Sequence, residues 1–78
     1  MSDEKIELLA YSGYRGEETP RAFMLGERRI EVVEIQERWI EEGIADRATK
    51  RFFKVKGSDG GIHKIFYDEK TARWYHAK

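Results

Sequence analysis

Residues 50–67 read KRFFKVKGSDGGIHKIFY, and the fold turns on how that stretch divides. Lys50 to Lys56 and Ile62 to Tyr67 are short runs rich in aromatic and β-branched residues, which suit a pleated, half-buried surface. Between them, Gly57-Ser58-Asp59-Gly60-Gly61 has the composition of a turn. Ser58, Asp59 and Gly60 fit a three-residue hairpin loop with Gly60 in the left-handed position. That loop pairs Phe53 with Ile65 and Val55 with His63, and it sets Lys54 directly opposite Lys64. Asp68 to Thr71 turns the chain again and Ala72 to Ala77 returns. Ile65 is then expected opposite Trp74, and His63 opposite His76.

Alternation sorts these strands onto two faces. Phe53, Val55, His63, Ile65, Tyr67, Trp74 and His76 share the face expected to pack in the core. Lys50, Phe52, Lys54, Lys56, Ile62, Lys64, Phe66, Arg73 and Tyr75 share the other, where aromatics alternate with cations. A one-residue slip in either turn would exchange the two sets.

Towards the N-terminus the pattern stays extended. Lys5 to Tyr11 reads as a strand, and SGYRGEETP over 12–20 as a loop, with the residues before Pro20 held extended. Ala22 to Leu25 is a short strand. Gly26-Glu27 makes a two-residue turn with glycine first, the type II′ preference, which pairs Phe23 with Ile30. In RRIEVVEIQERWIEEG, over 28–43, the β-branched residues favour a strand from about Arg28 to Arg38 or beyond, bent by a bulge where Val32 and Val33 adjoin. A helical turn at Trp39 to Glu42 also fits the spacing of Val33, Ile35, Trp39 and Ile40. GIADRAT, over 43–49, connects to the basic strand. The expected fold is mostly β: one domain over 1–78, an antiparallel meander of five or six strands closing as a small barrel or rolled sheet, with at most one helical turn.

The chain has 78 residues and no cysteine, so its core is modest and thiolate chemistry is excluded. Acidic residues stand at the start where a signal peptide needs basic ones, and no apolar run approaches a membrane span. A cytoplasmic protein without membrane contact is expected. Fifteen basic and fifteen acidic residues cancel. Residues 1–46 nevertheless hold 12 acids and 6 bases, and residues 47–78 hold 3 and 9. Either the second part presents a basic binding face, or acidic and basic strands lie side by side and neutralise one another.

No nucleophile elbow, phosphate loop or ligand cluster occurs, so no enzyme, no cofactor and no metal are expected. Tyr14, Arg15 and Gly16 lie in the longest N-terminal loop and have no phosphate-loop spacing. His63 and His76 are read as a hydrogen-bonded pair, since two imidazoles alone do not make a metal site. Trp39 and Trp74 are read as core or rim anchors.

Two partner classes follow for a binding module. A single-stranded nucleic acid would stack its bases and lay its phosphates on Lys50, Phe52, Lys54, Lys56, Lys64, Phe66, Arg73 and Tyr75. Another protein, or a second copy in a weak homodimer, would pair with an exposed strand edge or an apolar patch around Trp39 and Ile40.

The motif order Pro20, Phe23 to Gly26, Val32 to Trp39 (V-x-E-I-x-x-R-W), Phe52 to Val55, Asp59-Gly60, Tyr67 to Glu69 and Trp74 resembles a small bacterial domain family of unknown function. The resemblance covers residues 19–76 and rests on turn and core positions. It implies the fold, with no catalytic residue to carry over. Members stand alone or occur at the C-terminus of proteins resembling Y-family DNA polymerases, which implies proximity to DNA repair by analogy. An exposed His63 and His76 and a longer connection over 40–49 depart from the family pattern.

Overall fold

Gly26 at φ 65° and Gly60 at φ 84° occupy left-handed backbone that glycine enters at little cost. Each closes a hairpin where the sequence reading put one. The computed structural model describes residues 3–13, 19–43 and 49–77. Six antiparallel strands run β1 (Glu4–Ser12), β2 (Thr19–Leu25), β3 (Arg28–Glu42), β4 (Thr49–Gly57), β5 (Ile62–Asp68) and β6 (Arg73–His76). They close in chain order into a barrel, with β6 returning to β1. The loop residues 14–18, Tyr14, Arg15 and Gly16 among them, lie outside the described residues, as do residues 44–48.

β3 is the long shared strand, and it is strand throughout, so the helical turn at Trp39 to Glu42 does not form. Its first residues pair with β2, from Leu25↔Arg28 to Ala22↔Glu31, with Phe23 opposite Ile30. From Val32 onward it pairs with β4 instead. Two register shifts interrupt that ladder, one between Val32 and Glu34 and one between Ile35 and Glu37. Each leaves one unmatched residue, Val33 and then Gln36, and each therefore reverses the alternation. The first lets Val32 and Ile35 both point inward. The second turns Glu37 outward opposite Lys54 and sets Trp39 opposite Phe52; without it, Glu37 would face Phe53 inside the barrel.

The inward side chains form one core. Ile6, Phe23, Ile30, Phe53, Val55 and Ile65 are buried, with Leu8, Leu25, Val32, Ile35 and Trp74 packed against them. Phe23, Val55 and Ile65 are wholly excluded from water, and burying one such side chain stabilises by about 1.5–3 kcal/mol. Pro20 is also fully buried, on an extended β2.

The β4–β5 register is as expected, with Phe53↔Ile65, Val55↔His63 and Lys54↔Lys64. The β5–β6 register is not. Tyr67 pairs with Trp74 and Ile65 with His76, so the turn sits one residue later than expected. The Ala72 N–H donates to the Asp68 carbonyl at 2.8 Å, and Ala72 takes φ 58°. That five-residue closure leaves Asp68 opposite Arg73. Each pairing moves by two positions, so every side chain keeps its face.

Candidate interaction surfaces

On the outside of the barrel one row of rings crosses four strands: Trp39, Phe52, Phe66 and Tyr75. Neighbouring centroids are 5.3, 4.8 and 5.2 Å apart, and the ring planes lie within 5°, 30° and 21°. The rings therefore stack flat on one another. Phe52 is only 6% exposed and Phe66 3%, while Trp39 and Tyr75 are half-buried at the ends. Lysines roof the row: the Lys64 ammonium lies 5.3 Å from the Phe52 ring centre and 5.8 Å from that of Trp39, and Lys50 lies 5.5 Å from Phe66. Their aliphatic stems cover the rings and their charges meet the negative ring faces.

The expected cations all stand on this face, and nearly all of them face acids. Lys50 lies between Glu41 and Asp68, Lys54 opposite Glu37, Lys56 opposite Glu34, and Arg73 opposite Asp68. Side chains so paired are neighbours about 5 Å apart. The acidic strand β3 thus runs beside the basic strand β4, with carboxylates facing ammonium groups across the ladder. Lys64 is opposite Lys54, and the rings beneath its ammonium offset that like-charge contact.

A different surface arises where β3 leaves β2. Beyond the Ala22↔Glu31 pair no described strand is paired with that side of β3. From Glu37 to Glu42 its ladder to β4 runs through six consecutive pairs without a bulge, leaving a regular strand paired on one side only. Beside it opens a cavity of about 400 Å³ lined by Thr19, Arg38, Trp39, Ile40, Arg51, Phe52 and Phe53. Ile40 is 59% exposed. The Trp39 indole Nε1–H donates to Glu41 at 2.9 Å, and the Arg51 guanidinium pairs with Glu69 at 2.8 Å.

At the end of the barrel, the turn residue Asp59 forms a chain with His63 and His76. His63 Nε2 is 3.1 Å from both Asp59 carboxylate oxygens, and His63 Nδ1 is 3.0 Å from His76 Nε2. Arg28 reaches Asp59 at 3.6 Å. The Gly61 N–H donates to Asp59 Oδ1 at 3.0 Å. That backbone donor, then His63, then Arg28 hold the Asp59 carboxyl below its ordinary value of 3.8, against a smaller opposing effect of burial. An ionised carboxylate only accepts, so His63 Nε2 carries a proton towards it. With both rings neutral, His63 Nδ1 is then an acceptor, and His76 Nε2 donates to it. His63 is buried and His76 half-buried, which corrects the expectation that both are exposed; the offset register places them diagonally, not directly opposite. The three groups bond in series, and among the described residues no set of three or more His, Asp or Glu side chains converges to hold a metal.

Sequence reasoning missed Asp59, which it counted only as a turn residue. His63, four positions beyond Asp59 across a tight turn, was the signal that the Asp59 side chain folds back onto the strand. It also missed Arg38 and Glu42, because their edge depends on the second bulge.

Searches for a matching family model, curated protein or solved structure found none, so the likeness to the small bacterial domain family rests on motif order alone.

Proposed function

We propose that this barrel is a non-catalytic interaction module that takes up an extended segment of a protein partner along the open edge of β3, residues 37–42. The observation that carries this reading is the parting of β3 from β2 after Glu31. Among the described residues it leaves a regular strand paired on one side only, beside a cavity lined by Trp39, Ile40 and two arginines. Main-chain hydrogen bonds supply affinity in such strand addition, and the pocket reads alternate side chains. The bulges at Val33 and Gln36 disturb the edge before residue 37, as edges are commonly protected, and confine pairing to the last six residues.

Single-stranded nucleic acid on the outer row is the competing reading. It calls for ring faces free to stack on bases and cations free to meet phosphates. The burial of Phe52 and Phe66 and the acids opposite Lys50, Lys54 and Lys56 weigh against it.

Panning the folded protein against displayed random peptides, followed by amide chemical-shift mapping of the selected sequences, tests the edge. Shifts concentrated on residues 37–42 and the cavity wall are expected. Selection of no peptide, or shifts centred on Phe66 and Tyr75, would overturn it. Labelled single-stranded DNA and RNA at low salt should leave the anisotropy unchanged, and a rise that salt abolishes would support the nucleic-acid reading instead.

A further inference from the structure

Resting on that reading of the β3 edge, we propose that its occupant is a second copy of this chain, β3 against β3 in antiparallel register about a two-fold axis through Ile40. Two copies of one edge that continue a sheet about such an axis pair residues evenly around the axis and on the same face. The sequence of the edge, QERWIEEG from Gln36 to Gly43, decides which centre is tolerable: residues 37–43 are Glu, Arg, Trp, Ile, Glu, Glu, Gly.

Centred on Ile40, Arg38 faces Glu42 of the second copy, Trp39 faces Glu41, and Ile40 faces itself. Arg38 and Glu42 both pair with β4 residues of the inward set, Phe53 and Thr49, so they meet on one side of the combined sheet. Trp39 meets the residue whose carboxylate its indole N–H already binds within one copy. The exposed Ile40 gains an apolar neighbour.

Each adjacent centre fails. Centred on Trp39, Glu37 would face Glu41, and symmetry would impose that repulsion twice. Centred on Glu41, two copies of that carboxylate would meet directly. Centred on Arg38, the guanidinium would face itself. Like charges directly opposite one another destabilise a strand pair. Among these registers, the one through Ile40 alone sets no like charges opposite, and it contributes two Arg38–Glu42 pairs.

A five-residue contact is small, so the dimer is weak and forms at high protein concentration. Sedimentation equilibrium over a concentration series tests it. The wild-type mass should rise with concentration, and less so in high salt. Arg38→Glu and Glu42→Arg should each weaken association on the order of tenfold, since each replaces two attractive pairs by two repulsive ones. The double variant Arg38→Glu/Glu42→Arg should restore it. Both side chains are exposed, and circular dichroism of each variant checks that the barrel is intact. A monomer at every concentration would overturn the proposal, as would a dimer indifferent to the charge swaps. If the chain is monomeric while selected peptides still shift the amides of residues 37–42, only the self-pairing falls. If neither is seen, the edge reading falls with it.

Discussion

Trp39 lies flat against Phe52, ring centres 5.3 Å apart and planes within 5°, on the outside of the barrel. Phe52 and Phe66, at the centre of this outer stack, are buried like a core although no second layer of strands among the described residues covers them. A six-stranded barrel of this length has a small interior, and the ring row with its lysine roof adds a second apolar cluster on the other side of the same strands. Phe52 and Phe66 therefore contribute to stability in their own right.

Phe52→Ala is expected to cost about 3 kcal/mol, the lower end for removing a buried phenylalanine. Ile62→Ala on the same face, where the side chain is half exposed, should cost well under that. Urea unfolding measures both. A Phe52→Ala loss within about 0.5 kcal/mol, as for an exposed surface residue, would mean that the rings stand open.

Ala72→Gly is expected to stabilise the barrel. Ala72 is the one non-glycine residue at positive φ among those described. Left-handed backbone costs an L-residue roughly 1–2 kcal/mol, and the extra chain entropy of glycine returns part of that. A net gain of about 0.5–1 kcal/mol should appear as a higher urea midpoint with an unchanged slope.

The same residue shows why one register escaped the sequence. The Ser58–Gly60 loop announces itself with Gly60, and its pairings were readable. The β5–β6 turn reaches positive φ with an alanine, so nothing marked which residue closes it, and the pairing was placed two positions off. The faces survived because two is the period of a strand. On β3, the adjacent Val32 and Val33 advertised the first bulge. Gln36 carries no such mark, yet it sends Glu37 outward, sets Trp39 on Phe52, and leaves residues 37–42 as a regular edge. Burial of Phe52 was hidden for the same reason, since it depends on where Trp39 and Lys64 arrive from other strands.

Gly57→Ala should destabilise strongly for its size. A β-carbon there would stand 2.6 Å from Ile30 Cγ2, 2.7 Å from Asp59 Oδ1 and 3.0 Å from His63 Cδ2. Ile30 is itself buried, so the site cannot relax without moving the core or the Asp59–His63 contact. A loss of about 1–3 kcal/mol is expected. Gly61→Ala is the control, since its nearest neighbour would be His63 Nε2 at 3.4 Å. Thermal unfolding of the two variants should place Gly57→Ala clearly lower.

The proton positions in the Asp59–His63–His76 chain can be read directly. When both rings are neutral, His63 and His76 should each be the Nε2–H tautomer, fixed in turn by the acceptor-only carboxylate of Asp59 and by the free lone pair of His63 Nδ1. Long-range proton–nitrogen correlation spectra at alkaline pH distinguish the tautomers. An Nδ1–H signal from His63 would contradict the direction of the chain.

Acid should dissolve this arrangement from the carboxylate end. The Asp59 carboxyl is held below 3.8 by the Gly61 N–H, by His63 and by Arg28. A group whose value is depressed on folding binds fewer protons in the folded state. Its contribution is complete above the unfolded value and is lost as pH falls through the folded one. Wild-type stability, compared with that of Asp59→Asn, should therefore show an advantage that is still complete at about pH 5. The advantage should shrink only below the ordinary carboxylate value. Urea midpoints of both proteins over that range measure it, and a gap that stays constant into strong acid would show that the contribution of Asp59 does not depend on its charge.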